Sequence, residues 1–447
     1  MLSDRARELR PGTPAALLRG LWPYAAAVGI ALLIQLVLKP AMGAYDAIVL
    51  LNIGIAITLA VSLNIVNGFT GQFSIGHAGF MAVGGYASGV VTYYGSMLMW
   101  GTGAAKGGLL SGMPLRTDGL AALTSGDALF LAAIVVGGLI AAGVGFLVGL
   151  PSLRLRGDYL AIVTLGFGEI VRVLIQNTQP VLKTAEAVRE APLYTLPVSV
   201  GYSLGFGDIP KYTSLFWVYL VCGVTLIVAF RLKTSTFGRA FLSIRENEIA
   251  AEAMGVNTTR FKVWAFVIAA FFAGVAGGLY AHTLGVSLSP VDAGFQKSFD
   301  FIIMVVLGGL GSVSGATLAA AIVTWLPEFL RGFIVEIGSI LMVVGGVLAL
   351  LTGVRLVLNR RGGRPVDRRA AVGAGLGLAA VLAGLVGPRV WPAQLGVEVN
   401  LGDVRMIIYA LLLILMMIFR PKGLFGVREV WDRSLWMPLV RLVRRRS

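Results

Sequence analysis

Residues that could do chemistry are few in this chain of 447 residues. The two histidines, His77 and His282, have no cysteine or carboxylate nearby at the spacing of metal ligands. The single cysteine, Cys222, lies within an apolar run, which favours a small core residue over a redox or metal site. The sequence contains no GxxxxGK(S/T) phosphate loop and no HExxH motif. We therefore expect no metal site, no cofactor bound by this chain and no enzymatic activity.

Polar residues do interrupt one apolar run, at residues 67–80. Irregular backbone at membrane depth persists where protein or a water-filled cavity satisfies its polar groups, and a half-helix N-terminus there can meet a carboxylate. The alternative is an ordinary turn whose glycines allow close helix packing, with His77 packed and hydrogen-bonded. Under the first interpretation the candidates for a solute path in this stretch are Asn67, Gly71, Gln72, Ser74 and His77.

A second interruption, "GGLGSVSG", spans residues 308–315. The run 300–330 must leave and return to the same membrane face, so we expect two short helices or a re-entrant hairpin broken at these glycines. Glycine spacing resembles that of 67–79, which is weak support for an internal repeat. The candidates for the path in this break are Gly308, Gly309, Gly311 and Ser312.

One pair of opposite charges lies inside an apolar helical run. Glu169 and Arg172 are three residues apart and thus on one helix face. Because an unpaired charge in hydrocarbon costs several kcal/mol, the two are expected to pair or to face a polar interior. A structural ion pair and a lining of the solute path both remain open.

The elements that position these residues are membrane helices. The chain is 57% hydrophobic and only 13% charged, whereas an ordinary soluble domain carries roughly a quarter charged residues. We predict an all-α polytopic transmembrane bundle of about 10–12 segments, some broken or re-entrant. The first run is expected to be a retained span rather than a signal peptide. Predicted spans lie near 22–38, 48–66, 73–95, 128–150, 158–176, 215–230, 263–284, 338–354, 371–387 and 404–419.

The chain has a net charge of +15, and the distribution of its basic residues indicates how the chain is oriented in the membrane. Lysine and arginine concentrate in the N-terminal tail, at Arg154 and Arg156, and in the segments 231–262, 355–370 and 420–446. Since positive residues accumulate on the cytoplasmic side, we expect these segments and both termini to be cytoplasmic. This distribution argues against a nucleic-acid partner and for contact with membrane lipid.

The segment 231–262, here called the polar loop, contains "RENEIAAEAMGVN". Ser235 or Thr236 can cap one helix and Asn247 a second, Gly255 suits its C-terminal stop, and Asn257 caps the next span. The second helix is too short to be stable alone and too charged for lipid. It either docks into a groove of a cytoplasmic partner, with Ala250 and Ala251 allowing close approach, or is a solvated connector on the membrane surface.

Several motifs in order resemble branched-chain amino acid permeases of LivM type, a family of ABC-importer permeases. They are "GFTGQFSIGHAGFMAVGGY", "RLRGDYLAIVTLGFGEIVRVLIQN", "GRAFLSIRENEIAAEAMGVNTTRFKVWAF", "VVLGGLGSVSGATLAA" and "FRPKGLFG", within residues 45–330 and 404–426. The resemblance implies a subunit of the bacterial inner membrane without its own ATPase. It would pair with a sister permease as a heterodimer or homodimer, with two cytoplasmic ATPase subunits that hydrolyse ATP, and with an external substrate-binding protein.

The solute implied is leucine, isoleucine or valine, with urea or short amides as the alternative. From composition alone, an ion-coupled secondary transporter using Glu169 and Arg172 stays open. The resemblance also makes the polar loop the coupling element. However, Ile249 stands where the family pattern has glutamate, and Glu248 is one position early. The implied coupling residues are Arg245, Glu246, Glu248, Ile249, Ala250, Ala251, Glu252, Met254 and Gly255.

The resemblance also suggests how the chain is divided. We expect a cytoplasmic tail (1–21), a permease domain (22–330), an inserted hairpin (331–403) with the basic linker 355–370, a last span with the family motif (404–426) and a basic tail (427–447). The insertion adds an even number of spans, so it leaves the last helix on its original side.

Overall fold

The computed structural model describes residues 14–103, 106–112, 123–152, 158–331, 334–336, 398–400 and 423–432, with helical residues also at 346, 376, 378–379, 381–382, 410–411 and 414. Some predictions lie outside these residues. They concern the tail before residue 14, Arg154, Arg156, the linker 355–370, and most of 338–354, 371–387, 404–419 and 427–447.

The first half of the chain forms long helices with two π-helical turns. Helix α1 continues through a π-turn at Ile34–Leu38 to Lys39–Ala41, and α2 ends in a π-turn at Ile65–Phe69. The bounds are α1 Pro14–Leu33, α2 Ala44–Asn64, α3 His77–Trp100, α4 Ser125–Ser152 and α5 Asp158–Gln176. The predicted span near 73–95 thus begins later, at His77, because residues 70–76 form the irregular part of the first break.

The second half contains shorter helices. Between α5 and the next long helix lie one short α-helix and two 3-10 turns, Leu196–Val198 and Tyr202–Leu204. A third 3-10 turn, Pro290–Ala293, precedes the predicted two-helix region. The bounds are α6 Ala185–Glu190, α7 Leu215–Thr234, α8 Thr236–Glu246, α9 Glu248–Ala253, α10 Thr258–Ala281, α11 Phe295–Gly308 and α12 Val313–Arg331.

Six helices of the described ranges are long and apolar enough to cross a membrane. They correspond to α1, α2, α4, α5, α7 and α10, and the second break separates α11 from α12 as predicted. Helix α3 has 24 residues but is rich in glycine, serine and tyrosine, so it is less apolar. The helical transmembrane fold class is confirmed.

The core of the bundle is formed by α3, α4 and α10, which pack on one another. In α2 and α10, 72% of the apolar stretch is buried within the chain, whereas in α1 the share is 17%. Helices α1 and α2 both pack on α7. Helix α1 is therefore peripheral, while α2 and α10 are central.

The chain divides into two compact units, Met1–Thr324 with Met416–Ser447, and Trp325–Leu415. The second unit contains a short antiparallel strand pair, β1 Ile334–Glu336 and β2 Glu398–Asn400, with Val335 opposite Val399. This strand pair is an addition to the predicted all-α fold. The domain boundaries drawn from the sequence stay a prediction.

Segment 177–214 folds over one end of α3 and α10. The hydroxyl of Tyr94 donates to the carbonyl of Ser199, and that of Tyr93 donates to Leu182 O at 3.1 Å. Lys211 caps the end of α10, since its Nζ donates to Val286 O at 2.6 Å and to Ala281 O at 3.3 Å. Burial lowers the pKa of Lys211 to about 8, although the nearby Asp208 carboxylate acts in the opposite direction.

This lowered pKa predicts a pH dependence of stability. The folded chain holds the Lys211 proton less tightly than the unfolded chain, where a lysine pKa is about 10.4. Between these values the unfolded state binds more protons, so stability should rise with pH relative to Lys211→Met. The measurement is the thermal-unfolding midpoint of both proteins in detergent from pH 7 to 10.5. Lys183→Met, at an exposed lysine of the same segment, is the control, and a pH-independent gap between wild type and Lys211→Met would contradict the prediction.

Candidate functional site

The polar loop folds into α8 and α9, and each helix begins at the predicted cap. Ser235 Oγ accepts from Gly238 N at 3.2 Å, and Asn247 Oδ1 accepts from Ala250 N at 3.0 Å. Asn257 Oδ1 accepts from Arg260 N at 2.9 Å, which starts α10. Gly255 has a φ of +88°, a left-handed conformation that glycine adopts without steric cost, and it ends the loop helix. The predicted caps are confirmed.

Helix α9 and the residue that caps its C-terminus expose two large apolar side chains. The exposed fractions of Ile249 and Met254 are 67% and 84%, and Ala250 and Glu252 are exposed beside them. Ala251, by contrast, is only 3% exposed. The expectation that Ala251 allows a partner to approach is therefore wrong, because α9 packs on α8 and α10 and turns this residue inward.

The carboxylate of Glu248, one position away from the family pattern, is engaged within the chain. Its Oε1 accepts from Lys262 Nζ at 2.7 Å, and the Lys262 side chain is only 4% exposed. A buried ammonium needs such a partner, because an unpaired charge there is costly. Glu248 thus joins α9 to α10.

The inner side of the loop contacts both helix breaks. Arg245 Nη1 donates to Gly68 O at 2.9 Å and lies 3.5 Å from Leu310 O. The next link is Asn64 at the end of α2, whose Oδ1 accepts from Gly311 N at 2.9 Å and whose Nδ2 donates to Ser312 O at 3.0 Å. The two breaks, far apart in sequence, therefore meet under the loop. We call this meeting point the polar junction; it is formed by Asn64, Gly68, Arg245, Leu310, Gly311 and Ser312.

The first break is ordered by its own side chains. Asn67 Oδ1 accepts from Ser74 N at 3.2 Å, and His77 Nε2 lies 2.8 Å from Ser62 Oγ. His77 is 2% exposed, which confirms that it is a packed, hydrogen-bonded residue. Gln72 Oε1 and Ser74 Oγ are buried without a hydrogen-bond partner among the described residues. These two atoms are the unsatisfied polar groups of the break.

Glu169 and Arg172 form the expected ion pair. Arg172 Nε donates to Glu169 Oε2 at 2.6 Å, and both side chains are partly exposed. Glu169 Oε1 also accepts from Phe295 N at 3.2 Å, at the first residue of α11. The pair consequently connects α5 to α11, and among the described residues neither side chain hydrogen-bonds to the polar junction.

No group of three or more histidine, cysteine, aspartate or glutamate side chains that could hold a metal occurs in the described part of the chain. Cys222 is buried within α7.

A comparison with known protein families identifies the family to which the chain belongs. The model of the family described as "Branched-chain amino acid transport system / permease component" matches residues 47–341. The chain belongs to this permease family.

Curated members of the family are similar in sequence. The LivM permease proteins of the high-affinity branched-chain amino acid transport systems of Salmonella typhimurium and Escherichia coli are 35% and 34% identical over 313 residues. In both comparisons 66% of this chain and 65% of the relative are covered, so the chain spans about two thirds of the length of these relatives. The LivH permease protein of Escherichia coli is 24% identical over 265 residues, 59% of this chain and 78% of LivH. No solved structure matches.

The predicted site residues lie within the segment that matches the permease family. Together with the six long apolar helices, the similarity to bacterial permeases indicates that the chain is a multi-pass inner-membrane protein. The polar loop, both breaks and the Glu169–Arg172 pair all fall within residues 47–341. Their functional roles stay predictions.

Sequence reasoning missed Asn64, which links the two breaks, and the ion pair of Lys233 with Glu429, whose members bond to Gly311 O and to Val313 N at the second break. Asn64 is a polar residue near the end of an apolar run, which was a usable signal. Lys233 is one of several basic residues in the segment 231–262, so the sequence did not distinguish it from the others. Glu429 lies three residues after the end of the quoted motif "FRPKGLFG". Glu429 lies outside the family match.

Proposed function

We propose that this permease is the transmembrane subunit of an ATP-driven ABC importer, with the polar loop as the site where a cytoplasmic ATPase docks. The observation that supports this most is the exposed apolar pair formed by Ile249 on α9 and Met254 directly after it. Ile249 lies on this capped, charged helix and Met254 is its C-cap residue, in the loop between two predicted spans. Exposed apolar groups in such a place favour a protein partner.

The inward side of the loop supports the same role. Arg245 and the Glu248–Lys262 pair attach α8 and α9 firmly to the helix ends beneath them. A partner that moves α9 therefore also moves the polar junction, since coupling travels through contiguous packed and hydrogen-bonded groups. This arrangement suits a subunit that transmits ATPase closure to membrane helices.

The partners that follow are a sister permease, two ATPase subunits that bind and hydrolyse ATP, and an external substrate-binding protein. This chain itself binds no nucleotide in the proposal. The polar loop and both termini are cytoplasmic, in line with the positive-inside distribution of lysine and arginine.

For the solute we propose leucine, isoleucine or valine, because the LivM relatives are permeases of branched-chain amino acid systems. Of the predicted path residues, Gln72 and Ser74 are the best supported, since their buried polar atoms have no partner among the residues described. The partly exposed Glu169 and Arg172 are the second choice. Gly311 and Ser312 bond to Asn64 in the junction under the loop, and Gly308 and Gly309 lie in the same break, which fits transmission better than solute contact.

The experiment is uptake into proteoliposomes. The chain is reconstituted with the sister permease, ATPase subunits and binding protein with which it co-purifies, and labelled leucine is supplied outside. We expect uptake that requires both ATP and the binding protein, with valine and isoleucine as competitors. Uptake by this chain alone under a proton or sodium gradient would overturn the proposal. Competition by urea or acetamide, without competition by valine, would overturn the assigned solute only.

A further inference from the structure

Glu429 lies in the segment 423–432, here called the C-terminal segment, and its carboxylate is almost enclosed, with 7% of the side chain exposed. Its oxygens accept from Val313 N at 3.0 Å, from Ser314 N at 2.9 Å and from Ser314 Oγ at 2.5 Å. These two N–H groups begin the 19-residue helix α12, where the first backbone donors have no helical acceptor. Burial alone would raise the pKa of Glu429, but these bonds and that from Lys233 lower it overall, so the carboxylate is ionised at neutral pH.

Lys233 is the cation that faces this carboxylate. It belongs to the last turn of α7, two residues before the Ser235 cap, and its Nζ forms an ion pair with Glu429 Oε1. The same Nζ donates to Gly311 O at 2.8 Å and lies 3.4 Å from Val427 O. One ammonium thus bonds to the second helix break and to the C-terminal segment at once.

The backbone of the C-terminal segment also enters the second break. Leu424 N donates to Leu307 O at 2.8 Å and Phe425 N donates to Gly308 O at 3.3 Å. These carbonyls at the end of α11 would otherwise lack partners. A Cβ atom added at Gly309 would overlap the backbone of Gly426, so no larger residue than glycine fits this contact.

The polar loop therefore reaches the breaks by two routes. Arg245 bonds to Gly68 in the first break and lies 3.5 Å from Leu310 O in the second, whereas Lys233 bonds to Gly311 in the second break and to Glu429 in the C-terminal segment. Asn64 connects the breaks to each other. The Lys233 route includes the C-terminal segment, which lies outside the family match.

We propose that Lys233 and Glu429 are positioning residues that clamp the second helix break to the start of the polar loop, so that movement of the loop reaches α11 and α12 through the C-terminal segment. This inference rests on the proposed function of the loop. Without the pair, the ATPase would still dock on α9, but its closure would move α11 and α12 less. ATP hydrolysis would then continue with less solute transported.

The test is the number of solute molecules taken up per ATP hydrolysed, measured in proteoliposomes with the complete transporter. For Glu429→Gln and Lys233→Met we expect this ratio to fall about five-fold or more, with ATP hydrolysis retained. The double variant should be no worse than the worse single variant, because both remove one interaction. Lys233→Arg, which keeps a cation, should restore much of the ratio. Glu190→Gln, the same change at an exposed carboxylate of α6, is the matched control and should leave it unchanged.

A purely structural role would lower the amount of assembled transporter without changing the ratio, and that result would overturn the inference. If Glu429→Gln does not assemble, Glu429→Asp is used instead, because its shorter side chain keeps the charge at the start of α12 but moves the carboxylate away from Lys233. An unchanged ratio in that variant would equally overturn the inference. Failure of the proposed function is distinguishable, since the wild-type transporter would then show no ATP-driven uptake at all.

Discussion

Replacing Ile249 and Met254 by serine should leave the permease folded but remove the ATPase subunits from the complex. Both side chains are largely exposed in this chain, so the fold loses little buried apolar area. At a protein interface, truncating a central apolar anchor costs roughly 2 kcal/mol, or about 30-fold in affinity for each residue. The measurements are co-purification of the ATPase subunits and ATP-driven uptake, with membrane insertion followed in parallel.

The matched control is Leu204→Ser, which removes an equally exposed apolar side chain from the segment between α5 and α7. It should retain the ATPase subunits. Retention of these subunits by the Ile249→Ser/Met254→Ser variant, with normal uptake, would refute docking on this face. Ala251→Glu is a different test, because Ala251 is buried and its replacement would destabilise the loop of the permease itself.

A second large effect is expected from Gly277→Val in α10. A Cβ atom at this position would overlap the carbonyl of Met81 and crowd the backbone of Gly85, both in α3. Since the neighbours are backbone atoms, they cannot rotate away, and the two central helices must separate. Overpacking typically costs about 1–3 kcal/mol, and this contact should lie at or above the upper end. The variant should give much less folded protein and a lower thermal-unfolding midpoint in detergent.

Gly143→Val in α4 is the control for this prediction. Gly143 and Gly277 both lie inside long helices, but a Cβ atom added at Gly143 meets nothing within 4 Å. Valine and glycine differ by only a few tenths of a kcal/mol in helix propensity, so the comparison isolates the steric effect. Equal midpoints for the two variants would show that close approach of α3 and α10 is not required.

Features that depend on neighbouring residues were predictable from the sequence. The helix caps Ser235, Asn247 and Asn257 each accept a backbone N–H three residues ahead, so sequence spacing alone identifies them. The breaks at 67–80 and 308–315 were visible as glycines and polar residues inside apolar runs. The ion pair Glu169–Arg172 was visible from helical spacing.

The orientation of α9 was not predictable. The helix has only six residues, which is too few for a hydrophobic period to distinguish the faces of Ala250 and Ala251. Packing on α8 and α10 decides which of them is buried. Glu248 likewise looked misplaced against the family pattern, and only the position of Lys262 shows what its carboxylate does.

The sequence by itself thus determined the helical membrane class, the helix ends and the two breaks, because hydropathy and capping act over a few residues. Only the tertiary structure decided that these breaks meet. The bond between Asn64 and Gly311 spans 247 residues, and that between Lys233 and Glu429 spans 196. Partners at such separations are brought together by the packing of whole helices, and no local pattern in the chain indicates them.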